Sequence, residues 1–201
     1  MTDESKSRQT IEYYNQQIQT FVENTLNLDM SELYKEFEVL VKPKGRILDA
    51  GCGPGRDSLY FLKQGFDVIA FDASEAMVAY AAQLTGAPVL KLSFNELEFD
   101  NEFDGIWACA SMLHVPHFEM DSVITRIIRA LIPGGILYTS FKYGNEEVFR
   151  NGRLFSNYTE TTFLQLCSRH PKIKILKIWQ TTDVRPNRAD ERWLNVLCGK
   201  L

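Results

Sequence analysis

The segment Arg46-Ile-Leu-Asp-Ala-Gly-Cys-Gly-Pro-Gly-Arg-Asp57 constrains this chain more than any other. Ile47 and Leu48 open a short apolar strand, and Gly51, Gly53 and Gly55 follow at alternate positions. Leu59, Phe61 and Leu62 then begin a helix that Gly65 stops. Without a Cβ in the way, such a turn lets backbone approach a ligand closely. Phe66 to Phe71 reads as a second strand, and it ends in an acid, Asp72. Strand, glycine turn, helix, strand and terminal acid together make the nucleoside-binding half of a Rossmann-like sheet. The carboxylate suits the hydroxyls of a ribose, while the turn amides and helix N-terminus suit the polar end of the ligand.

The dinucleotide fingerprint G-x-G-x-x-G is not matched, because position 56 is Arg where a third glycine would stand. Asp49 stands at the end of the first strand, just before the turn. A pyrophosphate would be repelled there, whereas an ammonium would be attracted. Both residues favour an aminoacyl nucleoside such as S-adenosylmethionine over NAD.

The rest of the chain supplies the other layers. Residues 9–26 carry apolar positions at helical spacing, and Leu33, Phe37, Leu40 and Val41 give a second helix ending before Pro43. Ser74 is placed to cap a helix containing Met77. Pro88 to Leu92 is a third strand and Phe103 to Ala110 a fourth, nearly all apolar as a central parallel strand should be. Met120 to Leu131 carries one apolar helical stripe; Pro133-Gly-Gly135 ends it and starts a fifth strand, Ile136 to Phe141. A helix (Thr161 to Cys167) and two strands (Ile173 to Gln180, Trp193 to Cys198) complete the tail. Ligands of open parallel sheets sit at strand carboxyl ends near the switch in strand order. Ala108, Cys109, Ala110 and His114, at the end of the fourth strand, are therefore expected to face the donor.

These blocks resemble the class I S-adenosylmethionine-dependent methyltransferases, in particular those acting on small molecules and the tellurite-resistance methyltransferases. The resemblance rests on Leu48-Asp-Ala-Gly-Cys-Gly-Pro-Gly55, Phe71-Asp-Ala-Ser74 with Met77, Phe103-Asp-Gly-Ile-Trp-Ala108 and Leu131-Ile-Pro-Gly-Gly135. It implies an α/β fold: a doubly wound, seven-stranded mixed sheet in the order 3-2-1-4-5-7-6, the last strand antiparallel, flanked by helices. One domain over 1–201 is implied, with 1–42 a helical cover and 43–201 the core. It implies S-adenosyl-L-methionine as cofactor and S-adenosyl-L-homocysteine as product. By resemblance the donor would contact Tyr14, Asp49, Gly51, Cys52, Gly53, Arg56, Asp72, Ala73, Met77, Leu92, Ser93, Phe94, Ala108 and Cys109. Arg56 would pair with the donor's carboxylate, unless it pairs with Asp57. Substrate loops are implied near 142–160 and 183–192, where Lys142, Arg153, Tyr158, Arg185 and Arg192, together with His114, would hold the acceptor. His114 is the candidate base; the alternative is that it only packs and orients its loop.

Charge separates the remaining readings. The net charge of −4 does not favour wholesale nucleic-acid binding. Residues 142–201 nevertheless carry 11 Lys/Arg against 6 Asp/Glu, a balance of +5 that allows an anionic small acceptor. No apolar run approaches membrane-spanning length, and Met1 to Gln19 is polar, so a cytoplasmic monomer or homodimer is expected. The four cysteines have no C-x-x-C spacing and the three histidines no metal motif, so no metal is expected. Methyl transfer to an N, O or S atom needs alignment of nucleophile, carbon and sulfur, and a base only when the acceptor arrives protonated. An RNA or protein acceptor and a non-catalytic donor-binding module are the alternatives.

Overall fold

The computed structural model describes residues 3–185, 188 and 190–201. In chain order its elements are α1 (Asp3–Gln16), α2 (Ile18–Thr25), α3 (Ser31–Glu38), β1 (Arg46–Ala50), α4 (Arg56–Lys63), β2 (Asp67–Asp72), α5 (Glu75–Thr85), β3 (Val89–Lys91) and β4 (Phe103–Ala108). They continue with α6 (Met120–Ala130), β5 (Leu131–Lys142), β6 (Glu147–Arg150), β7 (Arg153–Ser156), α7 (Glu160–Ser168), β8 (Ile173–Thr182) and β9 (Arg192–Lys200). Short 3-10 turns lie at Phe94–Glu96, Met112–His114 and His117–Glu119.

One sheet of seven strands runs β3-β2-β1-β4-β5-β9-β8. Counted within the sheet alone this is the expected order 3-2-1-4-5-7-6. The extra numbers belong to a separate β6–β7 hairpin. β1 pairs in parallel with both β2 and β4, placing Leu48 between Ile69 and Ile106. β9 is antiparallel to both β5 and β8.

Alternation along the strands sends neighbouring residues to opposite faces. Leu48, Ile106 and Leu137 pack with α6 and α7 residues such as Ile127 and Phe163. Ile47, Trp107 and Tyr138 pack on the other face with Phe37 and Phe61. The Trp107 and Tyr138 rings stack there with centroids 4.0 Å apart.

Three expectations need correction. The first helix begins at Asp3, and the helical run over 9–26 is interrupted at Gln17, whose φ −105° and ψ 18° leave the helical region and divide α1 from α2. Pro133-Gly-Gly135 does not precede the fifth strand but lies inside it: Leu131 already pairs with Phe103, and the ladder resumes at Gly105 with Ile136 after a bulge in which Gly134 has φ +79°. The expected loop over 142–160 contains the β6–β7 hairpin, turned by Asn151 and Gly152 with φ of +50° and +76°. Within the expected 183–192 loop, Pro186, Asn187 and Ala189 lie outside the described residues. No helix among the described residues is long and apolar enough to cross a membrane.

Candidate active site

The glycine turn sits where the strand order reverses, at the carboxyl ends of β1 and β4. Gly51 has φ +71°, and a Cβ there would meet the Ser111 Cβ at 2.5 Å. Its position therefore requires glycine on both conformational and steric grounds. Asp72 closes the turn from the next strand: Oδ2 accepts from the Gly53 N–H at 2.9 Å and Oδ1 from the Ser74 N–H at 2.8 Å. Burial raises the Asp72 carboxyl, and these backbone bonds partly offset the rise. Each oxygen keeps a further lone pair for a ligand. Ser74 caps α5 by accepting from the Met77 N–H, as its position foretold.

Beneath the turn lies a buried polar node. Asp57 accepts from Tyr34 Oη at 2.5 Å, Arg56 Nε at 2.6 Å and Nη2 at 2.9 Å, and Trp107 Nε1 at 2.8 Å. Burial opposes ionisation, but the Arg56 charge and these donors outweigh it and hold the Asp57 carboxyl low. Arg56 is thus committed to Asp57, with Nη1 also donating to the Thr25 carbonyl at 3.3 Å. The alternative of an internal ion pair is the one the structure shows. Asp49 accepts from Ser58 Oγ at 2.5 Å behind the turn. Its carboxyl is pushed up, first by burial and then by the Asp57 anion.

A crevice of about 730 Å³ opens over the turn and continues past the ends of β4 and β5 toward the β6–β7 hairpin. Its volume suits a ligand of nucleoside size with room beyond. Gly51, Cys52, Gly53, Arg56, Asp72, Ala73, Met77, Leu92, Ser93, Phe94 and Cys109 line it, as do Tyr14, His114, Lys142, Arg153 and Arg185. The structure places other expected residues off it. Asp49 is behind the turn, and Ala108 is fully buried in the sheet. Tyr158 is buried with its ring 4.8 Å from that of Phe141, and Arg192 donates to Gln180 at an exposed strand end. Burial pushes the Cys109 thiol up to about 12, which removes thiolate chemistry from the crevice. Among the described residues no group of three or more His, Cys, Asp or Glu could hold a metal ion.

Ala110 takes φ +51° just after β4, and its N–H donates to Ser140 Oγ at 2.8 Å. That left-handed conformation costs a non-glycine residue about 1–2 kcal/mol. Composition gave no sign of it, nor of Ser111 and Ser140 as lining residues.

Tyr14 and His114 meet in the crevice. The Tyr14 hydroxyl lies 2.7 Å from His114 Nε2, and His114 Nδ1 lies 2.6 Å from the Leu154 carbonyl. A carbonyl only accepts, so Nδ1 carries the proton and Nε2 accepts from the tyrosine. Burial pushes the imidazole down to about 4 and the phenol up to about 12. Both groups are therefore neutral around pH 7.

α1 ties this region together. Thr10 Oγ1 accepts from the Leu154 N–H at 3.0 Å. Asn15 Oδ1 accepts from Ser74 Oγ at 2.8 Å and from the Ala76 N–H at 3.3 Å.

Two groups of cations border the acceptor side. Lys142, buried at the end of β5, donates to Asp183 at 3.1 Å and to Glu191, and lies 4.1 Å from the Trp193 ring centroid. Arg185 grips the same Asp183 through Nε at 2.8 Å and Nη2 at 2.5 Å. Burial alone would raise the Asp183 carboxyl, but Arg185 and Trp193 hold it well below the usual range. Arg153, by contrast, lies among rings: 4.3 Å from Tyr13, 5.2 Å from Phe155 and 6.0 Å from Tyr14.

Comparison with known proteins bears on the fold and on the segment that contains the glycine turn. Residues 47–135 match the family described as a methyltransferase domain. A putative methyltransferase, YqeM, of Bacillus subtilis (strain 168) is 36% identical over 126 residues, 57% of this chain and 50% of that protein. An uncharacterized methyltransferase of Staphylococcus carnosus (strain TM300) is 31% identical over 130 residues, 61% of this chain and 63% of that protein. The chain thus spans about half to under two thirds of the length of these relatives. Among solved structures, the Burkholderia thailandensis 1,6-didemethyltoxoflavin-N1-methyltransferase with bound 1,6-didemethyltoxoflavin and S-adenosylhomocysteine superposes with TM-score 0.77 at 22% identity, over 94% of this chain and 84% of that one. A TehB-like methyltransferase from Corynebacterium glutamicum gives TM-score 0.70 at 22% identity, over 95% and 98%. Residues 47–135 thus resemble a methyltransferase domain, and the seven-stranded fold around the crevice is the one these methyltransferase structures share.

Proposed function

We propose that this chain transfers a methyl group from S-adenosyl-L-methionine to an N, O or S atom of a small molecule. One observation carries the reading: a single crevice joins the glycine turn and Asp72 to a second compartment at the hairpin, so two ligands can meet inside it. In this reading residues 1–42 act as a cover, and residues 43–201 as the core.

The residues present fit the donor. Asp72 offers two partly free carboxylate oxygens to a ribose. Gly51 and Gly53 bring bare backbone to the amino-acid end, while Ala73, Met77, Leu92, Ser93 and Phe94 supply the walls of an adenine slot. With Arg56 committed to Asp57 and the Gly51, Cys52, Gly53 and Gly55 N–H groups donating within the protein, the donor carboxylate is assigned to the N-terminus of α4 itself. When bound, the sulfonium supplies an activated methyl carbon; the protein aligns the acceptor and excludes water.

His114 is proposed as a positioning residue rather than a base. Its Nε2 lone pair is taken by Tyr14, and a group that binds a proton only near pH 4 is a weak base at neutrality. The acceptor atom then arrives already unprotonated, as a carboxylate, a thiolate or a neutral amine.

The test is calorimetry with S-adenosylhomocysteine and with NAD, followed by labelled-methyl transfer to pools of metabolites, RNA and protein. Binding of S-adenosylhomocysteine alone, with label in the metabolite pool, is the expected result. Asp72→Ala should weaken that binding about ten- to a hundredfold, since a half-buried charged hydrogen-bond partner is lost. Equal binding by the variant would remove Asp72 from the site.

A further inference from the structure

We infer that the tip of the β6–β7 hairpin is a receptor for a planar carboxylate on the acceptor. The inference rests on the methyl-transfer reading for the word acceptor, but its evidence lies in the hairpin itself.

Asn151-Gly152 makes a two-residue turn in which both residues have positive φ. Such a turn locks hairpin register. The register places Arg150 directly opposite Arg153. Like charges directly opposite one another on neighbouring strands are destabilising. Both guanidinium groups border the same ring, Arg150 at 4.9 Å and Arg153 at 5.2 Å from the Phe155 centroid. Neither has a carboxylate within ion-pair distance among the described residues. Arg153 Nε is buried and has no hydrogen-bond partner there. Both arginines line the crevice, as does His114.

Arg153, partly buried with an unpartnered Nε and with the exposed Arg150 charge opposite it, carries a cost that an anion would offset. Aromatic rings attract a guanidinium through its charge, but they do not replace the paired acceptor oxygens that its N–H fork matches. A carboxylate provides those oxygens in one plane. The Lys142 cluster is a weaker competitor for it, because Lys142 and Arg185 already have carboxylate partners in Asp183 and Glu191.

The experiment titrates the protein, with and without S-adenosylhomocysteine, with benzoate, with its uncharged isostere benzamide, and with inorganic phosphate at matched ionic strength. Benzoate should bind about tenfold or more tightly than benzamide, and phosphate should not displace it at equal concentration. Arg153→Gln should weaken benzoate about ten- to a hundredfold while leaving S-adenosylhomocysteine affinity intact. Arg153→Lys should keep part of the benzoate affinity and none of the bidentate advantage. Equal binding of benzoate and benzamide, no benzoate binding, or full benzoate affinity in Arg153→Gln would each overturn the inference. Displacement of benzoate by less than its own concentration of phosphate would overturn the choice of carboxylate. Failure of S-adenosylhomocysteine to bind, with benzoate still held by Arg153, would count against the donor reading alone.

Discussion

The two cationic regions of the crevice have similar compositions and opposite electrostatic states. At the end of β5, Lys142 and Arg185 converge on Asp183, with Glu191 and the Trp193 N–H completing the set. At the hairpin, Arg150 and Arg153 converge on a phenylalanine and, among the described residues, no acid. The first region spends its charge on holding the β8–β9 connection to the sheet. The second leaves its charge available. A count of lysines and arginines, +5 over the tail, does not distinguish them; the partners do.

The largest expected effect breaks the first region. Asp183→Ala leaves Lys142 and Arg185 without their shared buried carboxylate and should cost about 3 kcal/mol of stability, read by chemical denaturation. A loss as small as that of an exposed pair would mean that Asp183 does not hold the two cations as described. The next concerns pH. His114 refuses a proton in the folded chain until about pH 4, whereas an unfolded histidine accepts one near pH 6.5. Between those values the unfolded chain binds more protons, so stability should fall as pH falls through that window. A pH-independent stability there would contradict a buried neutral imidazole. The same imidazole sharpens the comparison, because burial is the main cause of its low value and the Arg153 charge a lesser one. Arg153→Gln should therefore raise the His114 value, and an NMR titration of the ring would show it. The smallest expected effect is on folding: Arg153→Gln loses contacts with rings but no ion pair, and should cost under about 1 kcal/mol. A loss comparable to that of Asp183→Ala would place Arg153 with the structural cations after all.

Features set by local chemistry were legible in the sequence. The glycine turn, the acid after β2 and the Ser74 cap each follow from a few neighbouring residues, and apolar runs and helical stripes marked most of the elements, while the strand order followed from the resemblance. Features set by distant partners were not. Whether Arg56 turns to a ligand or to Asp57 depends on Tyr34 and Trp107 arriving from other elements to share the carboxylate. Asp49 looked exposed to a ligand because nothing local revealed that Ser58 would face it from α4. The hairpin is a different case. Asn-Gly between Val148-Phe149 and Leu154-Phe155 is a recognised turn signal, and reading 142–160 as a substrate loop passes over it.

Helix α1 is bonded at Thr10 to the hairpin and at Asn15 to the start of α5, with the chain leaving the helical path one residue after Gln16. One helix therefore clasps both ends of the crevice, and a substitution at either clasp, Thr10 or Asn15, bears on a segment that the other clasp also holds.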